Sequence, residues 1–341
     1  MFTKLVVPLD RSALAEQALA FAAGIAAPCG AAIDLVLVSE RDSGSEALAE
    51  SPGATRRRDD DGRYLREIAG ELATGVSTTV THEVIFGRAA DGIVQRARAV
   101  EADLVVMTSH GRTGVSRAWF GSVADAVIRQ SAIPVLVLRP VPGRAVPVVH
   151  SAVFRRILVP VDGAAVSPAL VDLVSAFAEA FDAEVTLLRV VAPVPLYAPD
   201  YTTGFIAPSM VKDESATAAR ANAAASELAA AAGQLSACGC RKVDQVVAVA
   251  DATAQAIVDT AASLGADLIA LSSHGRGLSR MLIGSVADKV LRASGIPMLV
   301  VRPVKVDAAN DERPAGFPRD GSSPAASWAH GSSDETAVTV E

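Results

Sequence analysis

The chain contains few cysteines, few aromatic residues and no long apolar segment. Three of its 341 residues are cysteine, and 4% are aromatic. A small, odd number of cysteines provides no disulfide framework and is typical of proteins in a reducing compartment. No apolar run approaches the roughly 18 residues that a membrane-spanning helix requires, and the first residues do not resemble a signal peptide. We therefore expect a cytoplasmic protein that does not cross a membrane.

Positive charge is scarce as well. The formal net charge is −7, and the densest basic run, Arg56–Arg58, is followed at once by Asp59–Asp61. A run that neutralises itself is typical of a solvated loop, so we expect no binding of nucleic acid through phosphate contacts. Cys238-Gly239-Cys240 has no second Cys or His cluster beside it. We therefore predict no metal site built from cysteines.

An internal repeat is the main feature that the chain does have. Asp10 recurs as Asp162, 152 residues later, whereas the sequence Ser-His-Gly-Arg that starts at Ser109 recurs at Ser273, 164 residues later. The larger separation predicts about twelve additional residues in the middle of the second copy. The glycine loop that contains this sequence is one residue shorter in the second copy. The protein is therefore one module used twice.

Strands rich in Val, Ile and Leu alternate with helices in each copy, which predicts parallel strands. We predict an α/β fold with two tandem doubly wound open parallel five-stranded sheets, Rossmann-like or flavodoxin-like in strand order, each flanked by helices. The second helix of copy one is predicted over Tyr64–Leu72, after a flexible loop over Asp42–Asp61. The last strands, Val135–Leu138 and Met298–Val301, are predicted edges whose pairing would join the halves into a pseudo-dimer.

Composition divides the chain into two domains, a connector and a tail. The segment between the copies contains Pro and Gly, which predicts a short and stiff connector. After Pro303 the composition turns to Asp, Pro, Gly, Ser and Ala, which is typical of disorder. We predict domain 1 over residues 1–140, a linker over 141–152, domain 2 over 153–303 and a disordered acidic tail over 304–341.

The candidate ligand-binding residues follow the first and fourth strands of each copy. Ligands of a doubly wound sheet collect at the carboxyl ends of the strands, and Asp10 and Asp162 follow strand one directly. The glycines of the loop 110–114 allow the backbone to approach a polyphosphate. Gly121-Ser122-Val123 then opens a helix whose N–H groups can receive an anion. The Walker sequence and the dinucleotide-binding glycine fingerprint are both absent.

These residues resemble the ATP-binding class of universal stress proteins. The resemblance rests on Val7–Asp10, on Gly111 and Gly121 with nine residues between them, on Ser122, and on Ile133–Val135. Copy two carries a matching set, namely Val159–Asp162, Gly275, Gly284–Ser285 and Ile296–Met298. Because both copies match over about residues 2 to 303, the chain looks like a tandem member of that family.

The resemblance implies a nucleotide site in each copy. Asp10 would bond the ribose hydroxyls, Val38 would contact adenine, and the loop glycines with Ser122 would hold phosphates. The implied residues are Pro8, Asp10, Val38, Met107, Thr108, Gly111, Gly121, Ser122 and Val123 in copy one, and Pro160, Asp162, Val190, Leu271, Ser272, Gly275, Gly284, Ser285 and Val286 in copy two. The implied ligand is ATP or AMP, with Mg as a candidate companion.

Copy one is the better of the two implied sites. The family has an additional glycine three residues before Gly111, and Thr108 and Ser272 occupy that place here. Both residues are small, which weakens the match in each copy without excluding binding. The shorter glycine loop of copy two makes its phosphate geometry the less certain match.

Other interpretations of the same residues stay open. Asp10 and Asp162 could cap the first helix of each copy, and the glycines could only form tight turns. His110 and His274 could act as acid or base, but no carboxylate or nucleophile lies at a spacing that defines a catalytic set, so we assign no catalytic residue. The arginine two residues after each histidine could contact a terminal phosphate or face solvent.

We expect a cytoplasmic nucleotide-binding regulatory protein of the universal stress type, in which ATP or AMP biases conformation or the choice of a regulatory partner protein. We do not expect an enzyme, although slow ATP hydrolysis is left open. The alternatives are an enzyme that hydrolyses ATP or transfers phosphate, and a nucleotide-free scaffold whose sheet edges bind partners. A homodimer is a further expectation beside the intramolecular pseudo-dimer.

Overall fold

A computed structural model describes the chain over residues 2–39, 52–76, 78–109, 121–141, 143, 154–163, 166–199, 206–273, 284–302 and 338–340. The first half contains β1 (Lys4–Leu9), α1 (Ala13–Cys29), β2 (Ala32–Ser39), α2 (Pro52–Gly75), β3 (Val80–Phe86), α3 (Ala89–Ala99), β4 (Leu104–Thr108), α4 (Ser122–Gln130) and β5 (Val135–Leu138). Strands and helices alternate throughout this half, as the sequence predicts.

The second half repeats this order and adds three strands. It contains β6 (Arg156–Val161), α5 (Pro168–Phe181), β7 (Glu184–Val191), β8 (Pro195–Pro199), β9 (Ile206–Lys212), α6 (Glu214–Ala237), β10 (Val243–Val249), α7 (Thr253–Ser263), β11 (Leu268–Ser272), α8 (Ser285–Ala293), β12 (Met298–Val301) and β13 (Val338–Val340). The antiparallel pair β8 and β9 forms a separate hairpin. This hairpin lies where the sequence predicts additional residues.

All the other strands form one sheet with the order β13-β10-β7-β6-β11-β12-β5-β4-β1-β2-β3. Within each half the order is 3-2-1-4-5 and the pairing is parallel, so the Rossmann-like order is adopted and the flavodoxin-like order is not. The two halves meet where β5 pairs with β12 in antiparallel orientation. The predicted pairing of the two last strands is therefore confirmed, and it joins the two predicted sheets into one.

Both faces of this sheet are covered by helices, because successive residues of each central strand are apolar. Leu5 and Val7 of β1 belong to the buried cluster on the face covered by α1, α2, α5 and α6, whereas Val6 belongs to the cluster on the face covered by α3, α4, α7 and α8. Burial on both sides removes the alternation of apolar and polar residues that a one-sided sheet shows. Among the described residues, no helix is long and apolar enough to span a membrane.

Two reciprocal contacts strengthen the junction between the halves. Arg139 Nη1 donates to the carbonyl of Arg292 at 3.1 Å, and Arg302 Nη1 donates to the carbonyl of Arg129 at 2.7 Å. Each arginine thus reaches the last turn of a helix in the other half, where carbonyl groups and the helix dipole favour a cation. The repeat in the sequence therefore becomes an approximate twofold symmetry at the junction.

A cluster of phenylalanine rings also joins the halves. The ring of Phe177 lies 5.1 Å from that of Phe2 and 5.5 Å from that of Phe154, both in edge-on geometry. Phe2 and Phe154 are counterparts, 152 residues apart, and all three side chains are buried. Aromatic pairs in this geometry are favourable beyond the area that they bury.

Three predictions about loops and tails need correction or fall outside the described residues. Residues 52–61 are helical, so the predicted flexible loop over Asp42–Asp61 and the solvated-loop interpretation of the Arg and Asp run are wrong there. Helix α2 is longer than predicted because Asp61 and Arg58 make tertiary contacts, with Arg11 and Phe86 respectively. Val338–Val340 pairs with β10, against the predicted disorder of the tail; residues 303–337 lie outside the described part.

The connector begins with an ordered contact. The side-chain amide of Gln17 donates to the carbonyl of Val141 at 2.8 Å and accepts from its backbone N–H at 2.9 Å. Gln17 is buried in α1, so this pair of hydrogen bonds fixes the chain just after β5 to the first domain. Apart from Val141 and Gly143, the predicted linker lies outside the described residues.

Candidate functional site

The candidate site lies where the strand order of each half reverses. β1 pairs with β2 on one side and with β4 on the other, and β6 is placed in the same way between β7 and β11. Asp10 follows β1 and Ser109 follows β4, so both lie at the carboxyl edge of adjacent parallel strands. Such a position forms a crevice for ligands. Copy two brings Asp162 and Ser273 together in the same way.

A backbone hydrogen bond closes the base of each glycine loop. Gly121 N donates to the carbonyl of Ser109 at 2.9 Å, and Ser109 N donates to the carbonyl of Leu138 at 2.7 Å. Ser273 N and Gly284 N make the counterpart bonds at 2.7 and 2.6 Å, to Val301 and Ser273. Each loop thus leaves and rejoins the fold at one point. The predicted site residues Gly111 and Gly275, and the histidine and arginine beside each of them, lie outside the described residues.

The loops end at helix N-termini that have no side-chain cap. Gly121 precedes α4 with φ −63° and ψ 139°, and Gly284 precedes α8 with φ −56° and ψ 145°. Because glycine has no side chain, it cannot satisfy the first N–H groups of the helix, which are available to an anion. These angles suit any residue. The glycines therefore provide space at the helix end, and no positive φ is needed at either of them.

Exposed residues follow each of these glycines. Ser122, Val123, Ser285 and Val286 form the first turns of α4 and α8, and all four are exposed. The valines are 36% and 38% exposed, which is unusual for large apolar side chains in this fold. The predicted phosphate-binding residues of both copies thus stand on the surface of the crevice.

Asp10 is held in a turn and does not cap a helix. Its Oδ1 accepts hydrogen bonds from Ser12 N at 3.0 Å and from Ser12 Oγ at 2.6 Å. Ser12 itself caps α1, because its Oγ accepts from Ala15 N at 3.1 Å. In copy two the cap of α5 is Ser167, not Asp162. The interpretation that these aspartates cap the first helices is therefore wrong for both.

Helix α2 contacts the turn that follows Asp10. Arg11 Nη2 lies 2.6 Å from Asp61 Oδ1, and the guanidinium lies 5.9 Å from the centre of the Tyr64 ring. Tyr64 donates to Glu16 Oε1 at 2.8 Å. Burial, and then this bond to Glu16, raise the pKa of Tyr64, so the hydroxyl keeps its proton at neutral pH. The sequence analysis missed Asp61 because it assigned residues 42–61 to a loop.

The predicted adenosine pocket has buried and half-buried walls. Met107, Thr108 and Leu271 are buried at the ends of β4 and β11. Ser272 is half-buried, and its Oγ lies 3.3 Å from that of Ser167. The other predicted wall residues are also half-buried, in β1, β2, β6 and β7: Pro8, Val38, Pro160 and Val190.

Gly92 packs closely on Val38, a predicted pocket residue, and the sequence analysis did not identify it. A Cβ at this position of α3 would lie 2.8 Å from Cγ2 of Val38, which is closer than packed atoms tolerate. Val38 has a branched and stiff side chain, so glycine is required for α3 to approach it. The signal in the sequence is an isolated glycine inside a helical pattern, which often marks close packing.

Metal-binding side chains are not grouped in the described part of the chain, which contains no set of three or more His, Cys, Asp or Glu that could hold an ion. The candidate Mg therefore has no protein site of its own among these residues.

Comparison with known proteins gives one consistent family. A family model described as the universal stress protein family matches residues 1–139 and 154–302. Universal stress protein Rv2005c of Mycobacterium tuberculosis is 30% identical over 251 residues, which cover 72% of this chain and 78% of that protein. A universal stress protein structure from Archaeoglobus fulgidus covers 89% of this chain and 97% of its own, with 20% identity and a TM-score of 0.60. A universal stress protein solved in complex with cAMP covers 41% of this chain and 99% of its own, with 25% identity and a TM-score of 0.33.

Proposed function

Because the chain belongs to the universal stress protein family, with one matched segment in each half, we propose that it is an adenine-nucleotide-binding regulatory protein of the stress response. It acts as a binding module, without an enzymatic step. The observation that carries this proposal is the repeated arrangement of a closed loop base, an uncapped helix N-terminus and an aspartate on the adjacent strand.

The first turn of α4 provides the phosphate end of the proposed site. Its unpaired N–H groups and the positive end of the helix dipole attract an anion, and the hydroxyl of Ser122 adds a donor at the same place. A glycine at position 121 leaves room for phosphate oxygens where a Cβ would stand. The ligand is therefore an anionic phosphate compound, and ATP and AMP both satisfy this requirement.

The nucleoside end of the proposed site lies across the crevice, on β1 and β2. The Asp10 carboxylate is oriented by Ser12 at 2.6 and 3.0 Å, and a carboxylate is a strong acceptor for ribose hydroxyls. Val38 at the end of β2 offers an apolar surface to the adenine ring. Asp10 follows β1 and Val38 lies at the end of the neighbouring strand β2, so one nucleoside can contact both.

The loop base gives the bound nucleotide a route to the junction of the halves. Ser109 is hydrogen-bonded to Leu138, the last residue of β5, and β5 is the strand that pairs with β12. A nucleotide that tightens the loop base of copy one therefore acts on the strand at the junction. We include a cytoplasmic location in the proposal, supported by three free cysteines, Cys29, Cys238 and Cys240.

Release of bound nucleotide tests the proposal. The freshly purified protein is denatured and the adenine nucleotide per chain is measured by chromatography, for wild type, Gly121→Val and Gly284→Val. We expect bound nucleotide in wild type and a larger loss with Gly121→Val than with Gly284→Val, because copy one has the longer loop. The backbone angles at both glycines suit valine, so both variants should fold.

Gly233→Ala serves as the control, because a Cβ at this glycine of α6 would meet no atom within 4 Å. It should release as much nucleotide as wild type. Wild-type protein that carries no adenine nucleotide and takes up none from added ATP would contradict the proposal and favour the nucleotide-free scaffold.

A further inference from the structure

The turn after β1 contains a residue in a strained conformation. Arg11 has φ +67°, in the left-handed region that residues with a side chain seldom adopt outside special turns. Such a conformation costs of order 1 kcal/mol or more and persists only where surrounding contacts hold it. Arg11 directly follows Asp10, so whatever holds Arg11 also fixes the peptide that carries the aspartate.

The contacts that hold Arg11 come from α2. The carboxylate of Asp61 is only 9% exposed, whereas the Arg11 side chain is 40% exposed. The ion pair is thus anchored by the nearly buried Asp61, whereas the Arg11 side chain remains accessible to solvent. The Tyr64 ring supports the guanidinium from the same helix, where a cation and an aromatic face attract each other. Helix α2 is therefore attached to the turn at one residue from Asp10.

In the described part of copy two, no ion pair attaches a helix to the residue after Asp162. The counterpart of Arg11, 152 residues later, is Gly163. A cation does reach this turn in copy two, because Arg189 Nη1 donates to the carbonyl of Val161 at 3.3 Å, but this contact precedes the aspartate and does not hold the residue that follows it. Its Nε lies 3.7 Å from Glu227 Oε2, and neither buried atom has a hydrogen-bond partner among the described residues.

The two aspartates differ in the way that these contacts predict. Asp10 is half-buried and bonded within its turn, whereas Asp162 is exposed. A carboxylate that is held before the ligand arrives loses less conformational entropy on binding than one that must be ordered at that moment. The difference between the copies therefore lies in preorganisation as well as in loop length.

We infer that Arg11 is a positioning residue of the first nucleotide site: held by Asp61 and Tyr64 of α2, it fixes the Asp10 carboxylate toward the ribose hydroxyls. This inference rests on the proposed function and deepens it. It makes recognition of the ribose a property of copy one and couples that recognition to α2. Phosphate binding at α4 does not depend on Arg11.

The test compares ATP with 2′,3′-dideoxy-ATP, which lacks the ribose hydroxyls. Both are titrated by calorimetry into the full chain carrying Gly284→Val, with and without Arg11→Gly. We expect Arg11→Gly to weaken ATP binding about tenfold, since hydrogen bonds to a charged acceptor contribute roughly that factor. Binding of the dideoxy analogue should not change. The preference for ATP over the analogue should therefore collapse.

Two further variants separate positioning from stability. Arg11→Gly reproduces the residue of copy two and tolerates positive φ, which partly offsets the cost of leaving the Asp61 carboxylate without this ion pair, so its melting temperature should fall only modestly. Asp61→Asn removes the charge of the anchor and should lower the same preference by a smaller factor. Arg63→Ala breaks an exposed ion pair with Asp60 on the same helix, at 3.5 Å, and should leave both affinities unchanged.

The outcomes distinguish this inference from the proposed function. An unchanged preference in an Arg11→Gly variant that binds ATP would overturn the inference and leave the proposed function standing. An equal loss of both ligands would also overturn it, because it would place Arg11 at the phosphates. Absence of binding in the parent protein would overturn the proposed function and the inference together.

Discussion

The two copies share the closed loop base and the uncapped helix N-terminus of the crevice, and they differ at the opposite end of the sheet as well as in the turn after β1. In copy one, Asp34 is fully buried and makes a two-pronged ion pair with Arg96, both contacts at 2.8 Å, and it also accepts from Thr81. Its counterpart in copy two, 152 residues later, is Thr186. Helices α3 and α7 are eleven residues long and offset by 164, so Thr260 replaces Arg96.

The carboxylate has also moved to the neighbouring strand. Asp34 pairs in register with Thr81, whereas Thr186 pairs with Asp244. In copy two, Thr186 and Asp244 line a cleft of about 210 Å³ together with Arg156 and Leu264. The comparison teaches that the crevice geometry does not depend on which polar side chains pair at the amino ends of the strands. Each copy has its own arrangement of polar side chains there.

Removal of the buried Asp34 carboxylate should lower the free energy of unfolding more than any other substitution in this comparison. Asp34→Ala leaves the Arg96 side chain, 19% exposed, with its ion pair to Glu83 but without the carboxylate whose hydrogen bond is the main cause of its raised pKa. Loss of one partner of a buried pair costs about 3 to 5 kcal/mol, and solvent access places Arg96 at the lower end. We expect about 3 kcal/mol less stability to denaturant.

Thr186→Ala is the matched change in copy two, and it should cost less than about 1 kcal/mol because no charge is left unpaired. The double variant Asp34→Ala/Arg96→Ala should be more stable than Asp34→Ala alone, since it also removes the arginine that has lost its buried partner and keeps only the exposed Glu83. Equal losses for Asp34→Ala and Thr186→Ala would show that the ion pair does not distinguish the copies.

A smaller effect is expected from the close packing of α3 on Val38. Gly92→Ala introduces a methyl group 2.8 Å from Val38 Cγ2, so the valine must shift at the adenine end of the proposed site. We expect about tenfold weaker ATP binding at site one, equivalent to about 1.4 kcal/mol, measured by calorimetry.

Gly70→Ala is the control for this substitution. A Cβ at Gly70 in α2 meets no atom within 4 Å, and alanine favours a helix by up to about 1 kcal/mol. It should raise the melting temperature without changing the affinity for ATP. An unchanged affinity in Gly92→Ala would show that Val38 does not contact the ligand.

The smallest expected effects test the symmetry of the junction. Arg139→Ala and Arg302→Ala each remove a hydrogen bond from a cation to a helix C-terminus of the other half. We expect each to cost about 1 kcal/mol in denaturant unfolding. The two losses should be similar and additive. A marked loss of stability in only one of the two variants would mean that the two halves of the junction contribute unequally to stability.

The sequence predicts the fold well where the signal is local and repeated. Short apolar strands alternate with helices, and the offset of 152 residues aligns Asp10 with Asp162 without a gap. The pairing of β5 with β12 was predictable because both strands end their copies and stand at an edge. The flavodoxin-like order and helix capping by the two aspartates were wrong, because strand order and cap geometry depend on contacts that spacing does not encode.

In the candidate site, too, residues with a local sequence signal were identified and residues that depend on distant contacts were not. The sequence identifies Asp10 and Gly121 because each directly follows or precedes an element with a clear pattern. It does not identify Arg11 as important, because the partner that holds it is Asp61, in a charged run without apolar periodicity. Gly92 was missed because its requirement arises from Val38 on a distant strand.

The sequence by itself determined that one module occurs twice, that its strands are parallel and covered on both faces, and which residues stand at the strand ends. These properties follow from composition and periodicity, which act on neighbours along the chain. Only the tertiary structure decided that phenylalanines and arginines of each half meet across the junction and that α2 holds the turn beside Asp10. Those contacts join residues far apart in the chain, and their energies depend on burial and distance that exist only in the folded state.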